Sequence, residues 1–123
     1  MEDKYYIAPN KYRELKYFCL QYKEKKDKLK SICCISAVEY KGQPHGTSVS
    51  NPTAEFGEKI AQLRKDIELI EQTAIEANSD FFEQLLENVT KGVPWEYLDI
   101  PMSRRNFYYL RRKYFYFLSE KRL

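Results

Sequence analysis

The segment SRRNFYYLRRKYFYFLSEKR, Ser103 to Arg122, interleaves cations with aromatic rings, a combination suited to holding nucleic acid. Arginine and lysine in a row neutralise phosphates, and the counterions released supply most sequence-independent affinity for DNA. Arginine also grips a guanine edge through two hydrogen bonds, as asparagine does for adenine. On a wheel of about 100° per residue, Phe107, Leu110, Tyr114, Phe117 and Leu118 line one face, which is expected to dock on the body of the protein. The opposite face carries Arg105, Tyr108, Tyr109, Arg112, Lys113 and Tyr116, with Arg104 and Asn106 at the N-terminal tip. In a helix-turn-helix the first residues of the second helix reach base edges in the major groove. Arg104, Arg105, Asn106 and Tyr109 hold those positions, while Arg112, Lys113, Lys121 and Arg122 lie further along and suit contacts to the phosphate backbone. Two other readings stay open: a solvated face whose Tyr rings cover a neighbouring helix, and a basic amphipathic helix that docks on an acidic protein.

Other chemistry is sparse. The chain has no Gly-rich phosphate loop and no His/Glu pair at helical spacing, and His45 is its single histidine, so no general base or nucleophile pair can be assembled from His. No enzymatic activity and no cofactor are expected. Cys19, Cys33, Cys34 and His45 are the one set that could surround zinc, but adjacent cysteines are not the usual gapped pair, so buried structural thiols are expected and no metal site.

The elements that must carry the basic segment are mostly helical in pattern. In PNKYRELKYFCLQYKEKK, Tyr12, Leu15, Phe18, Cys19 and Tyr22 recur at steps of three and four, an amphipathic helix. LKSICCISAV, Leu29 to Val38, is apolar without a clear period, and both a short strand and an irregular buried segment fit it. KGQPHGTSVSNP collects Gly, Pro, Ser and Asn and reads as a linker. From Thr53 to Asn78, Phe56, Ile60, Leu63, Ile67, Ile70, Ala74 and Ala77 form a seam over three heptads, with Thr53 placed to cap it and Asn78 to stop it. The seam serves either as the core stripe of a bundle or as a homodimer surface. SDFFEQLLENVTKG follows as a shorter helix opened by Ser79 or Asp80 and ended by Gly92. A brief helix from Pro94 to Asp99, stopped by Pro101, precedes the helix that Ser103 caps.

At 123 residues, 43% hydrophobic and 32% charged, with four Gly and five Pro, the chain is long enough for one domain with a core of its own and is neither disordered nor fibrous in composition. No run of about 18 apolar residues appears, so no membrane span is expected, and the polar N-terminus with an odd cysteine count reads as a cytoplasmic protein. The net charge of +3 is segregated. Residues 1–43 hold ten Lys/Arg against six Asp/Glu, residues 44–102 four against eleven, and residues 103–123 seven against one. The expected organisation is an all-α protein with an N-terminal helical arm (1–43), a linker (44–52) and a helical bundle (53–123) ending in a helix-turn-helix.

From Asn51 on, the blocks NPT, IELIEQTAIEA, VTKGVPWEYL and above all SRRNFYYLRRKYF, Ser103 to Phe115, resemble the small phage and prophage transcriptional regulators of the RinA/ArpU-like group. The N-terminal YYIAPNKYRELKYFCLQY also looks like the start of these proteins, whereas residues 29–46 match nothing in them. The C-terminal half of that family is similar to sigma factor region four, a helix-turn-helix that binds promoter DNA. The resemblance implies a late-gene activator of a temperate phage of low-GC Gram-positive bacteria, acting on double-stranded DNA and touching host RNA polymerase. Pro101 leaves little room for a full first helix after Trp95, so the helix at 80–90 is expected to share the supporting role, with 94–99 as a brace. A homodimer is expected because one such unit reads few base pairs.

Overall fold

Pro9 opens the first helix of the computed structural model, which describes residues 4–42 and 52–122, with side chains over 4–32 and 57–122. Proline lacks an N–H and its fixed φ suits the first helical position. Five α-helices follow one another among the described residues: α1 Pro9–Leu20, α2 Tyr22–Gly42, α3 Pro52–Ala77, α4 Phe82–Lys91 and α5 Arg104–Lys121, with one 3-10 turn at Trp95–Tyr97 before α5. No described residue is in a strand, so the architecture is an all-α bundle. None of the described helices is long and apolar enough to cross a membrane.

The core is a single cluster in which α1 gives Leu15, Phe18 and Cys19, α3 gives Ile70, Ala74 and Ala77, α4 gives Leu85 and Val89, and α5 gives Phe107, Leu110, Tyr114, Phe115 and Leu118. α1 therefore does not stand apart as an arm. It packs against both α4 and α5, while α2, which continues after a break at Gln21, packs on α3. Two polar ties hold α2 there: the ammonium of Lys25 meets the carboxylate of Asp66 at 2.9 Å, and the Tyr22 hydroxyl donates to Glu71. The proposed linker at 44–52 falls largely outside the described residues, of which only Pro52 is placed, at the start of α3.

Residues 29–38 are neither strand nor irregular, because α2 runs through them. Tyr22, Lys25, Leu29 and Ile32 are all half-buried at steps of three, four and three, so the helical stripe begins upstream of the apolar run and carries into it. The period becomes visible only when the window includes the polar residues before Leu29.

The other boundaries follow local chemistry. Thr53 lies inside α3 rather than at its cap. Asn78 ends α3 and also makes the turn to α4, its Oδ1 accepting from the backbone N–H groups of Asp80 at 2.9 Å and Phe81 at 3.0 Å. It does the work expected of Ser79 or Asp80. Gly92 ends α4 at φ 73°, the left-handed conformation for which glycine has no Cβ penalty. The brace at 94–99 is one 3-10 turn, locked by Trp95 Nε1 donating to the Met102 carbonyl at 3.0 Å. Residues 92–103 thus separate α4 from α5, a longer connection than the three or four residues of a DNA-binding helix-turn-helix. α4 and α5 each pack on α3 and on α1, so α1 stands in the frame beside the three helices at 53–78, 80–90 and 103–121 that the Pro101 argument took for the core.

Because α1 supplies fully buried Leu15 to the common core, Leu15→Ala and Leu118→Ala are each expected to destabilise the whole chain by about 2–5 kcal/mol in urea unfolding. A detached arm would show a change near zero for Leu15→Ala.

Candidate nucleic-acid interface

Ser103 sets where α5 begins, its Oγ accepting from the backbone N–H of Asn106 at 3.2 Å. Below that cap, fully buried Phe107, Tyr114, Phe115 and Leu118, with Leu110 nearly so, seat the helix on α1 and α3. Phe115 belongs to the docked face and Phe117 only to its margin, a rotation of the expected stripe by part of a turn. The expected wheel missed Phe115 because α1 and α3 flank α5 together and widen the buried arc.

The rotation of α5 is set by two polar side chains. The Tyr114 hydroxyl donates to the Ile70 carbonyl of α3 at 3.1 Å and lies 3.5 Å from the Cys19 sulfur of α1. With the phenol proton given to the carbonyl, the thiol is left to donate to the phenol oxygen. Burial pushes the Cys19 thiol up to about 11 and also raises the Tyr114 phenol, so both are neutral at ordinary pH. The second is Arg111. Its Nε donates to Asn88 Oδ1 of α4 at 2.8 Å and its Nη1 to the Tyr12 hydroxyl of α1 at 2.5 Å, while Asn88 Nδ2 donates to the Val93 carbonyl at 2.9 Å. The guanidinium also stands over the rings of Phe115 at 5.0 Å and Tyr12 at 5.6 Å.

Sequence reasoning passed over Arg111. The available signal was Asn88, an amide on the apolar face of α4 between Leu85 and Val89, which a buried site must supply with partners.

With that rotation fixed, the expected contact residues divide into three groups. Arg104, Arg105, Asn106, Tyr108, Tyr109 and Arg112 are exposed together on the N-terminal half of α5. Arg104 stacks on its neighbour one turn along, 5.5 Å from the Tyr108 ring centre. Lys113 and Tyr116 are half-buried, with the Lys113 ammonium 5.7 Å from the Phe117 ring and the Tyr116 phenol raised by its hydrogen bond to Glu120. The N-terminal segment crosses α5 here: buried Tyr5 meets Tyr109 and Tyr116 with ring centres at 5.5 Å and Phe117 at 6.1 Å.

Lys121 and Arg122 are not brought to this face. Lys121 pairs with Glu76 of α3; Arg122 pairs with Glu14 of α1 at 3.0 Å and lies 4.0 Å over the Phe18 ring, while its carbonyl accepts from Lys11 at 3.2 Å. They fasten the end of α5 to the body, roughly 25 Å of helix away from the tip.

Among the described residues no group of three or more His, Cys, Asp or Glu side chains could hold a metal ion. The Cys33 and Cys34 side chains and His45 lie outside them.

The buried thiol sets an alkaline limit. An acid whose folded pKa is raised contributes its stability fully below the unfolded value and loses it as pH climbs toward the folded one. For Cys19 that window runs from about pH 9 to about pH 11. Between pH 8 and pH 11, unfolding free energies measured in urea are expected to fall by about 2 kcal/mol more in the wild type than in Cys19→Ala.

No family model, no curated protein and no solved structure matches the chain, so the likeness to the phage regulators rests on the sequence blocks alone.

Proposed function

We propose that this chain binds double-stranded DNA through the N-terminal half of α5, as a phage or prophage transcriptional regulator of the kind its C-terminal sequence resembles. The observation that carries the reading is the contrast along one short stretch: Phe107 and Leu110 are buried, while Arg104, Arg105, Asn106, Tyr108, Tyr109 and Arg112 between and beside them are exposed. A rigidly seated helix that projects arginines and an asparagine from its first turns has the groups and the spacing for base edges and flanking phosphates. Residues 103–123 carry seven Lys/Arg against one Asp/Glu, a balance that favours an anionic partner.

A second reading, docking on a host protein such as RNA polymerase, is favoured by exposed rings outside α5. Tyr97 on the 3-10 turn is 79% exposed and Tyr17 on α1 is 61% exposed, more than a DNA face alone requires.

Fluorescence anisotropy with duplexes from the neighbouring genomic region separates the two. DNA binding is expected to weaken steeply with added salt and to fall by about tenfold or more in Arg105→Ala and Asn106→Ala. Lys121→Ala, already paired with Glu76, is expected to stay within about twofold of wild type. No duplex binding at low salt, with capture of RNA polymerase by the immobilised protein, would overturn the DNA reading.

A further inference from the structure

Beside the tip of α5 lies a cleft that shares Tyr108 and Arg112 with the proposed duplex face, while its Tyr6, Tyr12 and Arg111 have no part in that reading. It opens between the segment Tyr5–Pro9 and α5, with a volume of about 380 Å³, and is walled by Tyr5, Tyr6, Tyr12, Tyr108, Phe115 and Arg111, with Arg112 also in its lining. Tyr6 is 67% exposed and Tyr108 40% exposed, so ring surface is open to a ligand on both sides.

Arg111 gives the cleft its electrostatic character. Its partners are a carboxamide oxygen, a phenol and two ring faces, all neutral. Among the described residues no carboxylate lies within ion-pair distance of it. A guanidinium has five N–H donors, and two of these are accounted for, at Nε and Nη1. A half-buried cation held only by dipoles gains from an anion, most of all one with several acceptor oxygens.

Rings and charge together narrow the ligand. An aliphatic acid leaves the tyrosines unused, and bare phosphate fills a small part of the volume. A planar base joined to a phosphate uses both, with stacking worth about 1–3 kcal/mol per base.

We propose that this cleft binds one nucleotide, its phosphate at Arg111 and its base stacked on the rings of Tyr6 and Tyr108. The nucleotide comes either free, as a nucleoside monophosphate, or as an unpaired unit of a strand passing over α5. The strand source rests on the reading of α5 as a nucleic-acid face; the free source does not.

The test uses the full chain with adenosine monophosphate followed by saturation-transfer NMR and calorimetry, and with fluorescein-labelled octathymidylate and a duplex followed by anisotropy. Tyr6→Ala removes an exposed ring and Arg111→Gln removes the charge; if Arg111→Gln unfolds by circular dichroism, Tyr6→Ala decides alone. The monophosphate or the single strand is expected to bind wild type and to weaken about tenfold in these variants, while Arg105→Ala leaves monophosphate binding unchanged. Binding of the monophosphate supports the free source, and binding of the single strand alone supports the strand source. If duplex binds while neither nucleotide ligand does, the cleft proposal is overturned and the DNA reading stands. If nothing binds, both fall. Nucleotide binding that survives Tyr6→Ala and Arg111→Gln, or inorganic phosphate competing as well as the monophosphate, also overturns the cleft.

Discussion

The arrangement of this bundle depends on a guanidinium that is half-buried with no carboxylate within ion-pair distance among the described residues. Removing a charge from water costs several kcal/mol unless dipoles replace the solvent. Arg111 obtains those dipoles from Asn88 on α4 and Tyr12 on α1, and Asn88 passes the constraint to the loop through the Val93 carbonyl. Four parts of the chain are thereby held to one side chain. Tyr114, one turn further along α5, makes the equivalent tie to α3 through Ile70. Two inward-pointing anchors three residues apart fix the rotation of a helix about its own axis, since each residue advances the wheel by about 100°. What faces outward follows directly: Arg105, Tyr108, Tyr109 and Arg112 are exposed because Arg111 and Tyr114 are not.

Part of the segregated charge of the sequence is paired across the fold. Lys25 meets Asp66, Lys121 meets Glu76 and Arg122 meets Glu14, so cations from both ends of the chain settle on the first and third helices. The Lys25–Asp66 pair is the most enclosed, with side chains 15% and 18% exposed, and Gln62 donates to the same carboxylate at 2.9 Å. Surface pairs of the Lys121 kind contribute little stability each. Their larger effect is to place carboxylates against the cations at the C-terminal end of α5.

Much of this was legible in the sequence, and the rest was hidden for identifiable reasons. Ser103 capping α5, Gly92 ending α4 and the Ile67, Ile70, Ala74, Ala77 stripe of α3 are local patterns that tertiary contacts reinforce. The helix through Leu29 was missed because half of its buried stripe is Tyr22 and Lys25, residues that bury stems and rings while keeping a polar end. Arg111 was hidden by its type: an arginine in a basic run reads as surface, and only the distant Tyr12 and Asn88 reveal otherwise. Tyr5 could not be placed because its contacts are with Tyr109, Tyr116 and Phe117, about a hundred residues away, and no periodicity records them.

On the proposed DNA reading, the position of Tyr5 limits how much of α5 can enter a groove. By covering Tyr116 and one edge of Tyr109, it removes the C-terminal half of the outer face of α5 from any groove. What remains is about two and a half turns, roughly 15 Å of helix, which suits the span of a few base pairs in a major groove about 12 Å wide. A reader of that size needs a second module for specificity in a genome. The seam of α3 does not offer one along its C-terminal half, because Ile67, Ile70, Ala74 and Ala77 are already buried inside the chain. A second copy therefore has to be held elsewhere, and otherwise the added specificity must come from a partner protein or from a further contact beside α5. The aromatic cleft at Arg111 adjoins that tip, so a nucleotide held there would extend the reading surface without a second copy of the chain.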